Sequence, residues 1–367
     1  MINGKNFNRG LPKIRILVAP LDWGLGHATR CIPIINELIS QNCEVLIAAS
    51  GESYFLLKKE FPLLVILRIS GYNITYSGRR LWLPFKLLLQ FPKIFLSVLK
   101  ENLWVKKNIK KYKIDAIISD NRFGMYNKKV PSVYITHQLL IKTRNRFSEK
   151  IAQEIHYRFI KKYTHCWVPD WKEDGLAGEL SHQEIKPSNV LYAGPLSRFE
   201  KLQEIQYRYD ILILISGPEP QRTVFENKIL FQLESLNKHV LFVRGLPKET
   251  KNLQSDNESI KIINHLPAAE LNKAFQESKM IICRSGYTTI MDLVKLGKNA
   301  VLVPTPGQTE QEYLAKYLQE NFFFNSIEQD KFSLQKVIED ASIFQTNGAV
   351  ASMDDYKKVI SEFVQSL

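Results

Sequence analysis

Short apolar runs alternate with longer amphipathic segments along nearly the whole chain. Most of the runs are continuous Val, Ile and Leu rather than alternating with polar residues, which is typical of strands buried on both faces of a parallel sheet. In the first half these runs predict strands at 14–20, 44–50, 64–70, 116–120, 132–137, 165–169 and 190–194. The helices predicted between them are 28–40, 53–61, a long one within 84–111, and 146–162.

The second half repeats this alternation. It predicts strands at 211–216, 239–244, 261–264, 280–284 and 300–304, and helices at 221–235, 267–277, 287–296 and 309–320. Two consecutive β/α series predict two Rossmann-like, doubly wound α/β domains that face each other across a cleft. With the polar stretch 198–208 as linker, the predicted units are domains at 1–198 and 199–350, followed by a closing helix at 351–367 that suits either domain.

Composition agrees with a folded protein of two domains: the chain has 367 residues, of which 45% are hydrophobic and 24% charged. Its most apolar region, 81–99, is interrupted by lysines and prolines and does not predict a membrane span. The N-terminal apolar run does not resemble a signal peptide. The four cysteines lie far apart without metal-ligand spacing, as in proteins of a reducing compartment. We therefore expect a cytoplasmic protein.

Positive charge is concentrated in the first half. Residues 1–200 contain 31 Lys and Arg against 16 Asp and Glu, whereas residues 201–367 contain 19 against 21. Such a one-sided basic field favours anionic partners such as phosphorylated substrates or acidic lipid headgroups, although it also serves solubility alone. No recognised nucleic-acid-binding motif accompanies it, so no nucleic-acid partner is expected.

The long helix predicted within 84–111 is amphipathic. Its apolar face carries Ile94, Phe95, Val98, Leu99, Val105 and Ile109, its opposite face carries Lys93, Lys100 and Lys107, and Trp82 and Trp104 lie nearby. Residues 51–150 carry 20 basic against six acidic residues. A core helix with a solvated back and a helix docked on an anionic membrane at the inner face of the cell fit this pattern equally well.

The first strand is followed by a glycine-containing turn and a helix. Gly24 and Gly26 let a ligand approach the N-terminus of that helix, where free N–H groups favour an anion. A dinucleotide site would need Gly or Ala at Thr29 and an acid near Ser50, so an oxidoreductase is not expected. His27 would project into the cleft beside this turn, or alternatively cap the loop.

A second loop follows the first strand of the second half. Ser216, Gly217 and Arg222 are candidate donors to a diphosphate, but Pro218 and Pro220 remove N–H groups from this loop. A rigid connection from strand to helix is the alternative.

The richest passage runs from 283 to 312. A Ser-Gly turn again leads into a helix. The second turn of this helix places a carboxylate where it can accept hydrogen bonds from both hydroxyls of a ribose. The next helix begins with an amide and a carboxylate, which suit the hydroxyls of a sugar. The candidate donor-binding residues here are Arg284, Ser285, Gly286, Thr288, Thr289, Asp292, Gln311 and Glu312.

This passage resembles the C-terminal domain of glycosyltransferase family 28, whose best-known member adds N-acetylglucosamine to the lipid-linked peptidoglycan precursor. The resemblance implies the GT-B fold, a UDP-sugar donor and inversion at the anomeric carbon. It assigns Asp292 to the ribose and Gln311 to the sugar, with Glu312 in place of a second Gln. It also implies that His265 and Leu266 hold the uracil, that Ser216-Gly217 forms the phosphate loop, and that Arg198 lies near the diphosphate.

The first half resembles the family over two shorter stretches. Residues 24–27 stand where the family has a Gly-Gly-His loop, and His137 replaces the Glu of an acceptor-side Glu-Gln pair. Asp120, Asn121 and Arg122 end a strand where α/β sheets place ligands; together with Glu101 they would serve the acceptor, or form an ordinary turn. The candidate catalytic residues are His27, Asp120 and His137, and the candidate acceptor or phosphate residues are Gly24, Gly26, Arg30, Asn121 and Arg122.

These features predict a glycosyltransferase that moves a sugar from a nucleotide-activated donor to an acceptor of unidentified chemistry, a lipid-linked one included. His27 would be the general base. The sequence has no Asp-x-Asp pair and no metal-ligand cluster, so a metal-independent reaction without cofactor is expected, with helix termini and Arg or Lys meeting the charge of the leaving group. The alternatives are a UDP-sugar 2-epimerase on the same fold and a non-catalytic subunit that binds nucleotide sugar or membrane.

Overall fold

A computed structural model describes residues 13–72, 83–143, 145–234, 236–251, 253–341 and 352–367, with side chains omitted at 83–91 and 341. Trp82, from the predicted amphipathic helix, lies outside these ranges. The strands are β1 (Arg15–Pro20), β2 (Glu44–Ala49), β3 (Val65–Arg68), β4 (Ala116–Asp120), β5 (Ser132–Ile135), β6 (His165–Val168), β7 (Val190–Tyr192), β8 (Tyr209–Leu214), β9 (Val240–Val243), β10 (Ile260–Ile263), β11 (Ser278–Cys283), β12 (Ala300–Leu302) and β13 (Asn325–Ser326). The α-helices are α1 (Leu25–Ser40), α2 (Gly51–Glu60), α3 (Leu83–Tyr112), α4 (Arg146–Ile160), α5 (Gln221–Leu233), α6 (Ala268–Gln276), α7 (Tyr287–Leu296), α8 (Thr309–Glu320), α9 (Leu334–Ala341) and α10 (Asp355–Gln365).

The described strands form two parallel sheets. The first has the order β3-β2-β1-β4-β5-β6-β7 and the second the order β10-β9-β8-β11-β12-β13. When the strands of each sheet are numbered from the first strand of that sheet, both sheets begin with the order 3-2-1-4-5-6, which is the doubly wound order. In such sheets ligands bind between strands 1 and 4, where the strand order reverses direction. Those points are the carboxyl ends of β1 and β4 in the first sheet, and of β8 and β11 in the second.

The predicted two-sheet α/β architecture is confirmed. All predicted strands are present with small differences at their ends, and α7 and α8 have the predicted bounds. The sequence pattern missed β13, whose two residues Asn325 and Ser326 carry no apolar run, and the short helix α9.

The closing helix α10 packs on the first sheet rather than on the second. It lies against α1, and the ring of Phe363 meets the edge of Trp167 on β6 at a centroid distance of 5.4 Å. The chain therefore returns from the second sheet to the first before it ends. Whether 198 is the domain boundary stays a prediction, although the strands of the first sheet end at Tyr192 and those of the second begin at Tyr209.

The core is continuous between the two halves, because α1 packs on α7 as well as on its own sheet. Among the described residues, no helix has the length and apolar character needed to cross a membrane.

Candidate active site

The buried carboxylate of Asp120 organises the end of the first sheet. Asp120 ends β4 and has no exposed surface. Arg30, one turn into α1, donates from Nε to Asp120 Oδ2 at 2.6 Å and from a second nitrogen to Oδ1. Burial alone would raise the pKa of Asp120, but Arg30 and His27 outweigh it and lower that pKa to about 2. Asp120 is therefore ionised across the physiological pH range.

His27 lies beside this ion pair at the N-terminus of α1. Its Nδ1 is 3.1 Å from Asp120 Oδ1, and its side chain keeps 16% of its surface exposed. Burial, followed by the charge of Arg30, lowers the pKa of His27 despite the opposing effect of Asp120. The imidazole is consequently neutral near pH 7 and able to accept a proton.

Arg30 Nη2 also lies 2.7 Å from His27 Nδ1. A neutral imidazole has one proton, so Nδ1 either donates to Asp120 or accepts from Arg30. In the first tautomer the Nε2 lone pair is free for a substrate, and in the second Nε2 carries the proton. The orientation of Arg30 thus bears directly on whether His27 is a base.

His137, after β5, continues the network across the cleft. Its Nδ1 is 3.3 Å from Arg30 Nη1, and its Nε2 is 2.7 Å from Oε1 of Glu310 in the first turn of α8. Gln138 donates to the other oxygen of Glu310, and the His137 ring stacks on Tyr287 at 4.2 Å. The structure therefore brings His27, Asp120 and His137 together, as predicted for the candidate catalytic set, although their roles stay predictions.

The first turn of α1 contacts the N-terminus of α7. Thr288, in the first turn of α7, donates to the carbonyl of Gly26 at 3.1 Å. A Cβ at Gly26 would lie 3.3 Å from the Thr288 hydroxyl, a tight contact that the glycine avoids. Gly24, with φ of 89°, caps α1 in a backbone conformation that favours glycine. Thr288 and the half-exposed Thr289 lie at the end of α7 that faces the first sheet.

Open space lies in front of α7. A Cβ placed at Gly286 would meet no atom within 4 Å. Gly217, after β8, has φ of 110°, and a Cβ there would lie 3.5 Å from the Thr305 hydroxyl. That hydroxyl is buried and has no hydrogen-bond partner among the described residues. Gly217 and Thr305 thus lie close together after β8 and β12, the two neighbours of β11, from which the chain leads into α7.

Asp292, in the second turn of α7, is 3% exposed. Ser197 donates to its Oδ1 at 2.6 Å, and Arg198 Nε lies 3.8 Å from Oδ2. Burial raises the pKa of Asp292 to about 6, against the opposing effect of Arg198. Its ribose role stays a prediction. Arg198 Nε makes no hydrogen bond to a described residue.

His265 and Leu266 follow β10 near Arg198. Burial, Lys59 and Arg198 lower the pKa of His265 to about 4, so its ring is neutral at physiological pH. Leu266 is buried. Their contact with a base stays a prediction.

Gln311 and Glu312, at the start of α8, shape the loop that precedes this helix. Gln311 Oε1 accepts a hydrogen bond from the backbone N–H of Thr305 at 2.9 Å. A carboxylate oxygen of Glu312 accepts one from the backbone N–H of Gly307, also at 2.9 Å. Their contact with a sugar also stays a prediction.

Three arginines predicted to contact substrates are buried and paired within the protein, and their substrate contacts stay predictions. Arg122 is fully buried and donates to Glu101 and to the carbonyls of Pro20 and Ser70. Arg222 is buried and paired with Glu219 and Glu226.

Arg284 is likewise 1% exposed, and it donates to the carbonyls of Gln221, Val303 and Pro304 and to the side chain of Gln329. Ser285 is fully buried too, and its hydroxyl donates to the Gln311 carbonyl, so its predicted contact with a donor stays a prediction. Asn121, by contrast, stays partly exposed, with its Oδ1 accepting from the Tyr134 hydroxyl.

Sequence reasoning did not single out Glu310, Thr305 or Ser197 as site residues. Glu310 and His137 are 173 positions apart, and only the packing of the two sheets shows that they meet. Within the described part of the chain, no group of three His, Cys, Asp or Glu side chains is arranged to hold a metal ion.

Comparison with known proteins agrees with the fold and the second sheet. Residues 221–364 match the glycosyltransferase family 28 C-terminal domain. An uncharacterized glycosyltransferase of Methanosarcina acetivorans is 22% identical over 331 residues, which cover 84% of both chains. The UDP-N-acetylglucosamine–N-acetylmuramyl-(pentapeptide) pyrophosphoryl-undecaprenol N-acetylglucosamine transferase of Wigglesworthia glossinidia brevipalpis is 25% identical, covering 89% of this chain and 87% of that one.

Among solved structures, the glycotransferase of kitacinnamycin superposes with a TM-score of 0.64 at 14% identity, covering 97% of this chain and 95% of that one. This chain is a GT-B glycosyltransferase, and its residues 221–364 are similar to the family 28 C-terminal domain. In the glycosyltransferase, the first sheet therefore supplies the histidine and carboxylate network, and the second sheet supplies the family 28 domain.

The buried Arg122–Glu101 pair provides a test of the structural assignment. Replacing Arg122 with Ala leaves Glu101 buried without its cation, which costs about 3–5 kcal/mol of unfolding free energy. Arg158→Ala, which removes an exposed ion pair with Glu154, is the control and should cost about 1 kcal/mol or less. Urea unfolding measures both. An Arg122→Ala protein as stable as the control, yet inactive, would instead support the predicted acceptor role of Arg122.

Proposed function

We propose that this glycosyltransferase transfers a sugar from a UDP-sugar to an acceptor hydroxyl by a metal-independent, inverting displacement, with His27 as general base. The observation that carries the proposal is the His27–Asp120 hydrogen bond at the switch point of the first sheet, beside the α7 terminus of the family 28 domain. A neutral histidine held by a buried, ionised carboxylate is the arrangement that a general base requires.

The second sheet offers a place for the donor diphosphate. The α7 N-terminus presents backbone N–H groups to open space, and the unpartnered Thr305 hydroxyl and the Gly217 backbone lie beside it. Asp292, Arg198 and His265 then form the nucleoside side of the site. UDP is preferred among nucleotides because the Wigglesworthia relative is named for a UDP-sugar donor.

In the proposed step, His27 Nε2 accepts the proton of the acceptor hydroxyl while its Nδ1–H donates to Asp120. The acceptor oxygen forms a bond to the anomeric carbon as the bond from that carbon to the diphosphate oxygen breaks. UDP leaves with the bonding electron pair, and one displacement inverts the anomeric centre. Asp120 stabilises the imidazolium that forms, and the α7 N–H groups stabilise the charge on the diphosphate.

The acceptor side lies in the basic first half, and we place the enzyme at the inner face of the cell membrane. Phe95, Leu96, Leu99 and Leu103 on α3 are 46–65% exposed, whereas Val98 and Val105 are buried. The predicted apolar face is therefore only partly core. Leu96, Leu99 and Leu103 follow helical spacing toward exposed lysines at 106, 107 and 110, a pattern suited to an anionic membrane that presents a lipid-linked acceptor.

His27→Ala should reduce kcat/KM by about 10²–10⁴-fold, the usual contribution of a general base, without changing the affinity for UDP. Because the pKa of His27 is lowered, the acid limb of the wild-type kcat/KM profile should lie below pH 6.5. Release of UDP from radiolabelled donor measures both. His239→Ala, at an exposed site, is the control. Wild-type turnover in the His27 variant would remove this residue from the mechanism.

Asp292→Asn tests the ribose contact with little change in volume. Loss of a hydrogen bond to a charged group costs about 1.5–3 kcal/mol, or roughly 10- to 150-fold in the Kd for UDP. Calorimetric titration with UDP gives this value directly. The exposed Asp330→Asn is the matched control. Equal UDP affinity in both variants would reject the ribose role of Asp292.

Membrane docking is tested with the triple variant Leu96→Ser, Leu99→Ser and Leu103→Ser. We expect it to bind anionic phosphatidylglycerol vesicles at least about 10-fold more weakly than wild type, a difference of ~1.4 kcal/mol. Co-sedimentation at low and high salt provides the measurement. Phe231→Ser, which removes an apolar side chain 82% exposed in the second half, should bind like wild type. Equal binding by the triple variant would contradict docking through α3.

A further inference from the structure

Arg284 is a buried cation at the carboxyl edge of the second sheet. It follows β11 directly, two residues before Gly286 at the N-cap of α7, and it is 1% exposed. Burial lowers the pKa of Arg284 to about 9, which still leaves its guanidinium charged at physiological pH. The protein therefore keeps a positive charge out of water close to the start of α7.

The groups that contact this charge are all neutral. The four acceptors of its hydrogen bonds are the backbone carbonyls of Val303, Pro304 and Gln221 and the side-chain oxygen of Gln329. Its guanidinium carbon lies 4.3 Å from the centre of the Phe225 ring. Carbonyl dipoles and an aromatic face stabilise a cation, but they do not cancel its net charge.

The other buried arginines in the part of the chain that the structure describes are each paired with a carboxylate. The pairs are Arg30 with Asp120, Arg122 with Glu101, and Arg222 with Glu226. No carboxylate raises the pKa of Arg284, which burial lowers. Removing a charge from water without a counter-charge is unfavourable, so the arrangement indicates that a negative charge binds nearby.

The surroundings of Arg284 offer positions for such an anion. Pro304, whose carbonyl accepts from Arg284, is followed by Thr305, whose buried hydroxyl has no hydrogen-bond partner among the described residues. A Cβ at Gly286 would meet no atom within 4 Å, and α7 begins at the next residue with its free N–H groups. An unpaired hydroxyl, a helix terminus and an uncancelled cation thus favour an anion at the same sheet edge.

We propose that Arg284 binds the donor diphosphate through its electric field, without a hydrogen bond to it, as a counter-charge held inside the protein. This inference rests on the proposed UDP-sugar donor. Because four hydrogen bonds fix the guanidinium before the ligand arrives, its charge acts on the diphosphate without reorganisation. The same charge stabilises the negative charge that grows on UDP as its bond to the sugar breaks.

Gln329→Glu tests the field while leaving Arg284 in place. Gln329 is 3% exposed, and its Oε1 accepts from Arg284 at 2.7 Å. A carboxylate of the same shape keeps this bond and cancels the charge in a buried ion pair. The amide of Gln221, which now accepts from Gln329, can rotate to donate to the new carboxylate.

We expect Gln329→Glu to raise the Kd for UDP by about 10-fold or more, since charges several ångströms apart interact by at least that much in a protein interior. The Kd for uridine, which has no charge, should not change. Calorimetric titration with uridine and with UDP measures both. The exposed Gln335→Glu on α9 is the control of equal charge, which water and salt screen, and it should bind both ligands as wild type does.

Arg284→Lys and Arg284→Gln separate the charge from the hydrogen bonds. Both variants lose the guanidinium fork, but only Lys keeps a positive charge. The ratio of the Kd for uridine to the Kd for UDP should therefore fall by about 10-fold in Arg284→Gln and by less in Arg284→Lys. Where Arg284→Gln does not fold, Gln329→Glu decides the question, because it keeps the hydrogen bonds of Arg284.

An unchanged Kd for UDP in folded Gln329→Glu would overturn the inference. Equal losses for uridine and UDP would do the same, by making Arg284 a support for the surrounding loops alone. Failure of the proposed donor would instead appear in the wild type, as tighter binding of GDP or dTDP than of UDP. A wild type that prefers UDP, together with an insensitive Gln329→Glu variant, would reject the role of Arg284 only.

Discussion

The carboxylate of Asp120, which has no exposed surface, lies where the end of β4 meets α1. The arrangement of the first half depends on the groups that balance the negative charge of this carboxylate. Removing Asp120 from water is unfavourable unless cations and hydrogen bonds replace the solvent. Arg30 supplies two of those bonds, and His27 supplies a third when its Nδ1 carries the proton, all from the first turns of one helix. The end of β1, the glycine turn and α1 are therefore held in one position relative to β4, and the catalytic candidate is placed by the same bonds that stabilise the charge.

The two sheets share one winding order but use their switch points differently. In the first sheet the position between β1 and β4 is filled with titratable side chains. In the second, the equivalent position between β8 and β11 carries glycines, a helix terminus and an unpartnered hydroxyl. The first arrangement suits proton transfer and the second suits an anion, because backbone N–H groups bind phosphate without a titratable group. A reaction between a diphosphate donor and a hydroxyl needs both a site for proton transfer and a site that binds an anion.

Much of this architecture was predictable because buried parallel strands leave continuous apolar runs, and glycine turns before helices mark sheet ends. The hydrogen-bond partners of the arginines were not predictable from the sequence. Arg122, Arg222 and Arg284 follow the same turns as the other candidate residues, but each is paired with buried carboxylates or carbonyls that the sequence does not show. Glu310 was missed for the same reason, since its partner comes from the other half of the chain.

Binding of a donor must also exchange bonds rather than only add them. The Thr288 hydroxyl already donates to Gly26, and Asp292 already accepts from Ser197. Replacing one protein bond with one ligand bond gains less than the ~0.5–1.5 kcal/mol of a net hydrogen bond. Affinity must then come mainly from groups that are unsatisfied in the present structure, such as the Thr305 hydroxyl and the open α7 terminus. Since the Thr288–Gly26 bond joins the two halves, a ligand that takes this hydroxyl also loosens one interdomain contact, while others, such as those of Glu310 with His137 and Gln138, remain.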